Sequence, residues 1–150
     1  MNPFKDAQAS LMKFLTDTMS AAVTINSDGG AAPALVDWDA QTDETTIPDG
    51  DLYGLMDYGI IDEGGQYTVS ARICLSTRQD ENLFRSRDFT NHLFNACLMD
   101  KQVPLLNAET GSRIGTMKFM EGTQVLPLVT TVVRSYRHIA VSLTYSVAQP

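Results

Sequence analysis

Between Lys13 and Arg72 the chain has no lysine or arginine, yet that interval holds eleven Asp and Glu. Residues 1–66 carry two bases and twelve acids, a net of −10, whereas residues 67–150 carry nine bases and six acids, a net of +3. The whole chain sums to −7. That charge argues against a dedicated nucleic-acid binder, which needs a basic patch to displace phosphate counterions. It still allows a surface past which DNA slides without being held. Long apolar runs are also missing. No stretch approaches the roughly 18 apolar residues of a membrane span. Residues 1–10 lack the basic start and apolar run of a signal peptide. The expectation is a protein made and folded in the cytoplasm, with no membrane partner.

Cysteine and histidine are scarce, two of each. Cys74 and Cys97 fall on different expected elements, so a disulfide framework is not indicated and two reduced, partly buried thiols are expected. Nucleophilic catalysis needs a Ser or Cys beside a His that takes its proton. Only His92 and His138 are available, one in a helix and one at an expected hairpin end, and no G-x-S-x-G elbow surrounds a serine. Asp37, Asp39, Asp43 and Glu44 come nearest to a metal-binding run. They lack the glycine and distal glutamate of a calcium loop, so a solvated acidic face is the simpler reading. Gly29-Gly30 and Gly64-Gly65 open no helix and have no lysine, which excludes a phosphate loop. Asp49 and Asp51 look exposed, and acid–base work needs burial to shift a carboxyl. No enzyme activity, cofactor or metal is expected.

At 150 residues, 43% hydrophobic and 19% charged, the chain has the size and composition of one globular domain. Asn2-Pro3 reads as a helix cap followed by a first-turn proline. Phe4, Ala7, Leu11, Leu15, Met19 and Ala22 then repeat at helical spacing, with Lys5, Asp6, Lys13 and Asp17 turned away. A short strand is expected over residues 21–26, a turn at 27–30, and a second strand over 34–38. Residues 41–66 mix seven acids, one proline and five glycines with Leu52, Tyr53, Leu55, Met56, Tyr58, Ile60 and Ile61. They read as an irregular acidic excursion that packs on the body or on a neighbouring subunit, with a disordered hinge as the alternative.

Tyr67, Val69, Ala71, Ile73 and Leu75 alternate with polar residues, the signature of a half-buried strand. Asp80-Glu81 starts a second helix that runs to about Met99. Its charged middle, 85–88, is expected to face solvent, and Phe89 falls off the main stripe. Residues 100–115 read as a loop and 117–126 as a weak strand or a hairpin around Gly122. Residues 128–136 are β-rich, and 139–147 alternate cleanly. Arg137-His138 is a candidate hairpin turn. The fold class expected is α+β: a mainly antiparallel sheet with both helices on one face, in the order α-β-β-β-α-β-β-β. The other face is expected to be polar.

This arrangement resembles the tail terminator proteins of long-tailed bacteriophages, those similar to the lambda tail terminator. The strand at 66–75, the acid-initiated helix at 80–99 and the closing strand at 138–147 carry the likeness. The first helix and Pro33-Ala34-Leu35-Val36 fit it too, whereas 41–66 looks longer than the family's hairpin. The resemblance implies a virion structural protein, assembled in the host cytoplasm into a homo-hexameric ring. Such a ring caps the tail tube protein, stops its polymerisation and presents a surface to the head connector, while DNA passes through. The split of charge suits head-to-tail contacts, which close into a ring when the subunit rotation divides the circle. Candidates for interface or channel lining are Asp37, Asp39, Asp43, Glu44, Asp49, Asp51, Asp57, Asp62, Glu63, Arg72, Arg85, Arg87, Arg134 and Arg137. Rival readings are another neck or tail completion protein, and a small-ligand domain using a groove beside Trp38, Tyr53 and Tyr58. An enzyme built on Asp37, Asp39 and Asp43 is a third.

Overall fold

A computed structural model of the chain describes residues 2–22, 33–41 and 47–146. The fold is α+β, with two helices and an eight-stranded, mostly antiparallel sheet. The first helix, α1 (Pro3–Ala22), starts where the cap was expected. The Asn2 side chain accepts the Lys5 amide hydrogen (3.3 Å), and the Asp6 carboxylate accepts that of Asn2 (3.2 Å). Ala7, Leu11, Leu15 and Met19 are buried along one face. Asp6, expected to point outward, is 3% exposed. The strand expected over 21–26 is overturned at its start, because Ala21 and Ala22 close α1. The rest of it lies outside the described residues, as does the turn at 27–30.

Strand β1 is short (Ala34–Leu35) and pairs in parallel with β2 (Leu52–Asp62). Between them Trp38–Ala40 forms a 3-10 turn. The strand expected over 34–38 therefore stops early, and Trp38 sits in the turn. Strand β2 corrects the reading of 41–66 as an irregular excursion. Eleven of those residues are a strand that pairs antiparallel with β3 (Gln66–Arg78). Two features hid it. Leu52, Tyr53 and Leu55 are all buried, so both sheet faces are covered there and the period of two is lost. A bulge between Met56 and Gly59 then shifts the register. Gly54 is required by a close approach: a Cβ at this position would lie 1.7 Å from the Val36 carbonyl oxygen.

The second helix, α2 (Phe84–Ala96), begins four residues later than expected. Asn82 and Leu83 have left-handed backbones (φ 57° and 59°), which no regular helix contains. The late start rotates the helix. Leu93 and Cys97 are buried as the helical stripe predicts, but Phe89 is buried with them, while Phe84, which the same stripe would bury, is exposed. Arg87 and Asp88 face solvent as expected, but Ser86 is buried and Arg85 is turned into an ion pair. The span 100–115, expected as a loop, contains β4 (Gln102–Leu106) and the start of β5 (Arg113–Phe119). Its strands are short, and Pro104 masked the first of them.

Strand β8 (Arg134–Ser146) runs unbroken opposite β3. Arg137 and His138 lie inside it, paired with Leu75 and Cys74, so the turn expected there does not form. Its free side is covered in pieces by β5, β6 (Gln124–Val125) and β7 (Val129–Thr130). Residues 117–126 thus supply two strands that each pair with β8 and form no hairpin with each other. The sheet order is β1-β2-β3-β8-β5-β4, with β6 and β7 also on β8.

The core lies between the sheet and both helices, as expected. Val69, Ile73, Leu143 and Ile139 from the central strands meet Leu11, Leu15, Leu93 and Phe119. Each such side chain contributes about 1.5–3 kcal/mol on burial. The opposite face is polar only in part. Val36, Trp38, Leu52 and Cys74 make a second, smaller cluster there. The indole N–H of Trp38 donates to the Cys74 carbonyl (3.2 Å), and its ring meets Tyr136 edge-on at 5.9 Å. Both cysteines are free and buried, one in each cluster. Burial pushes both thiols up to about 12.

Helix α1 also closes one margin of the sheet. On the outer strand β4, the Leu106 amide hydrogen goes to Ser10 Oγ (2.7 Å) and that of Ala108, just beyond the strand, to the Asp6 carboxylate (2.9 Å). Pro104 has no N–H to offer. That edge is therefore closed to a further strand.

Candidate interaction surfaces

The described charged residues singled out above fall in four separate places, the last of them, with Arg87 and Arg137, being the groove described below. The first is the end of the sheet where β3 stops and β8 starts. Arg134 is buried there. Its guanidinium donates to the carbonyls of Pro48 (2.6 Å) and Gly50 (2.8 Å) and to Ser76 Oγ (3.1 Å), and so pins residues 48–50 to the sheet. Asp51 accepts from Arg85 Nε (2.8 Å) and Nη2 (3.3 Å), and from the Arg78 amide (3.4 Å). The bond to Asp51 raises the Arg85 pKa above its ordinary value. Asp80 accepts the amide hydrogens of Arg85 (3.1 Å) and Ser86 (2.8 Å), capping α2 across the left-handed pair. Asp49 pairs with Arg78 at the surface, a contact worth at most about 1 kcal/mol.

The second place is the β2 bulge. Asp57 (φ 54°) and Tyr58 stand opposite the single residue Ala71, and their amide hydrogens reach the Asp39 carboxylate at 2.9 and 3.5 Å. Asp37 in turn accepts the Asp39 amide hydrogen (3.2 Å). Asp57 faces Arg72 across the strand pair at 3.7 Å. His138 shares this polar side, and its pKa is lowered, first by burial and then by Arg72, with Asp57 acting in the opposite sense. The third place is the β2–β3 turn. Asp62 accepts from the amides of Gly64 (3.1 Å) and Gly65 (3.4 Å), and Glu63 beside it is exposed. Asp43 and Glu44 lie outside the described residues.

The acids therefore do not line one surface. Asp49, Asp51 and Asp57 are matched by arginines of the same chain. Asp37, Asp39 and Asp62 are occupied with backbone amides. Among the described residues, no three His, Cys, Asp or Glu side chains are grouped so as to hold a metal. The groove expected beside Trp38, Tyr53 and Tyr58 does not form: Tyr53 and Tyr58 pack with the main core, and Trp38 lies in the cluster on the other face. The Tyr58 hydroxyl is spent on the Phe4 carbonyl (2.9 Å), and burial followed by the nearby Tyr145 raises its pKa. No helix among the described residues is long and apolar enough to cross a membrane.

Two surfaces were not anticipated. The first is the hairpin joining β7 to β8. Thr131 and Arg134 close it through a backbone bond of 2.8 Å, and Val132 and Val133 form its tip. Val132 is fully exposed, with Val129 and Val133 half exposed beside it. β-Branched apolar residues are poor turn formers, and tips favour Gly, Asn, Asp or Ser. That contradiction of turn chemistry was the available signal. The second is a groove of about 290 Å³ between α2 and strands β6 and β8. Arg87, Thr90, Asn91, Phe94 and Arg137 line it, with Ser86 at its floor. Arg137 is held in place by donating to the Leu126 carbonyl (3.0 Å). Its lining comes from segments some 40 residues apart, which sequence spacing does not join. The chain matches no profile of a known protein family, and no curated protein is significantly similar to it.

Proposed function

We propose that the chain is a self-assembling virion subunit, a phage tail terminator whose ring caps the tail tube, stops its growth and offers the head connector a docking surface. The observation that carries this reading is the valine tip of the β7–β8 hairpin. Two valines at a turn gain nothing from local structure. Each recovers about 1–2 kcal/mol when a partner covers it. The buried Arg134 at the base of the hairpin fixes its direction, so the tip is presented on a rigid mount. The sequence segments 66–75, 80–99 and 138–147, which resemble those of the terminators, support the same reading. Ring closure then requires a head-to-tail contact between unlike surfaces.

The test is direct. Light scattering and negative-stain microscopy of the purified protein, alone and with isolated tails, are expected to give a closed ring and end-bound density. Val132→Asp is expected to leave the melting temperature unchanged and to abolish assembly or tail capping. A protein that stays monomeric at every concentration and ignores tails overturns the reading. Density at the neck, away from the tube end, moves it to another head–tail joining protein.

A further inference from the structure

Resting on the self-assembly reading, we propose that the acidic β2–β3 turn of one copy, Asp62-Glu63-Gly64-Gly65, docks into the Arg87–Arg137 groove of the next. The groove brings together two arginines of the second half that carry no ion pair among the described residues. Arg72, Arg78 and Arg85 each face a carboxylate of the same chain. Arg134 is consumed by carbonyls. Arg87 and Arg137 make no ion pair among the described residues. They line one groove, with the Asn91 amide between them as a further donor. The Thr90 hydroxyl already donates to the Ser86 carbonyl, so the groove's donors are mainly the two guanidiniums and that amide. Donors of this kind suit carboxylates, which guanidinium forks bind in two-point fashion.

The turn has the complementary shape and charge. Asp62 and Glu63 are exposed, and the following glycines bring no side chain. A Cβ on Gly64 would meet nothing within 4 Å. The turn is a slender, doubly negative probe, stiffened by the two amide bonds to Asp62. It cannot reach the groove of its own chain. The turn precedes Gln66 at the start of β3, and Arg137 lies beside Leu75 near the end of the strand. Nine residues of strand separate those levels by roughly 30 Å. Only another molecule can supply the acid. The two surfaces differ, so the contact is head-to-tail and propagates or closes into a ring. A nucleic-acid backbone is the rival occupant of two arginines, and it is disfavoured by a chain that sums to −7.

The experiment is a reciprocal charge swap read by sedimentation. Glu63 and Arg87 are both exposed and bear on no described core contact, so their variants should fold. Glu63→Arg and Arg87→Glu are each expected to weaken assembly at least tenfold, and the double variant to restore it. A second reading uses Glu63→Cys with Arg87→Cys, since both native thiols are buried. Mild oxidation is then expected to give a ladder of covalent multimers. If the wild type assembles but the swaps change nothing, or the double variant is not rescued, this contact falls and the assembly reading survives. If the wild type never assembles, both fall. Retention of a DNA oligonucleotide by the wild type, lost in Arg87→Glu, would assign the groove to nucleic acid instead.

Discussion

The two faces of the sheet are built on different principles. The helix side is a single layer of large apolar residues contributed by seven elements, and every alternating strand position feeds it. The other side depends on one tryptophan, held over Cys74 by a loop that is itself held by hydrogen bonds. Beyond Trp38 that face carries Ser70, Arg72, Ala140 and Ser142, small or charged residues around a shallow hollow. The first face derives its stability from area. The second derives it from a few polar bonds that fix where a chain crosses. The contrast explains how the Asp57–Arg72 pair can sit on that side without harming the core.

Four measurements test this contrast. Leu143→Ala cuts into the middle of the helix-side core, where the residue is wholly buried between Val69 and Phe119. It should cost about 3–5 kcal/mol in urea unfolding. A loss under 1 kcal/mol would mean that this face is not the main core. Gly54→Ala strikes the other face, since the new methyl cannot coexist with the Val36 carbonyl. The expected loss is about 2–3 kcal/mol, with a red shift of Trp38 emission as the crossing segment lifts. An unshifted emission would show that the segment tolerates displacement.

Thr77→Val is expected to act in the opposite direction. The Thr77 hydroxyl is buried with no hydrogen-bond partner among the described residues. Removing it at constant shape should stabilise the protein by about 1 kcal/mol, and a lower melting temperature would reveal a hidden partner. The smallest effect concerns His138 on the polar face. Its folded pKa is lowered, so the unfolded chain binds the proton more readily. Its contribution is present above the unfolded value of about 6.5 and is lost as pH falls through that value. Compared with His138→Gln, the wild type should lose slightly more stability between pH 7.5 and 5.5. Parallel curves would remove His138 from the account.

The helix side was legible in the sequence because its pattern is local. Val69, Ala71, Ile73 and Leu75 alternate, and Leu11, Leu15 and Met19 recur by turns, so each element declares its buried face alone. The other side was not. Leu52, Tyr53 and Leu55 are buried by different layers, and the crossing of Val36 over Gly54 depends on residues 18 apart. Glycines and acids in that span signal a loop when read singly. In the folded chain Gly54 makes room, Asp39 serves the bulge amides and Asp62 holds a turn. The charged candidates were named for an interface or a channel lining, whereas in the folded chain many of them act as anchors within the chain, and their grouping was not visible. Asp51 meets Arg85 across 34 residues and Arg134 meets Pro48 across 86. Phase errors account for the rest: a pair of left-handed residues before α2 exchanged Phe84 for Phe89 as the core residue.

The clamp made by α1 bears on the order of folding. Its partners are synthesised long after it: Ser10 and Asp6 serve Leu106 and Ala108, and the Pro3 carbonyl receives the Tyr145 hydroxyl across 142 positions. At about 5–20 residues per second, on the order of ten seconds separate the helix from those partners. Until β8 is made, the stripe of Leu11, Leu15 and Met19 has only part of its sheet, β2 and β3, to pack against. The hydrogen bonds that fix the two ends of the clamp can therefore form only after β4 and β8 have been made.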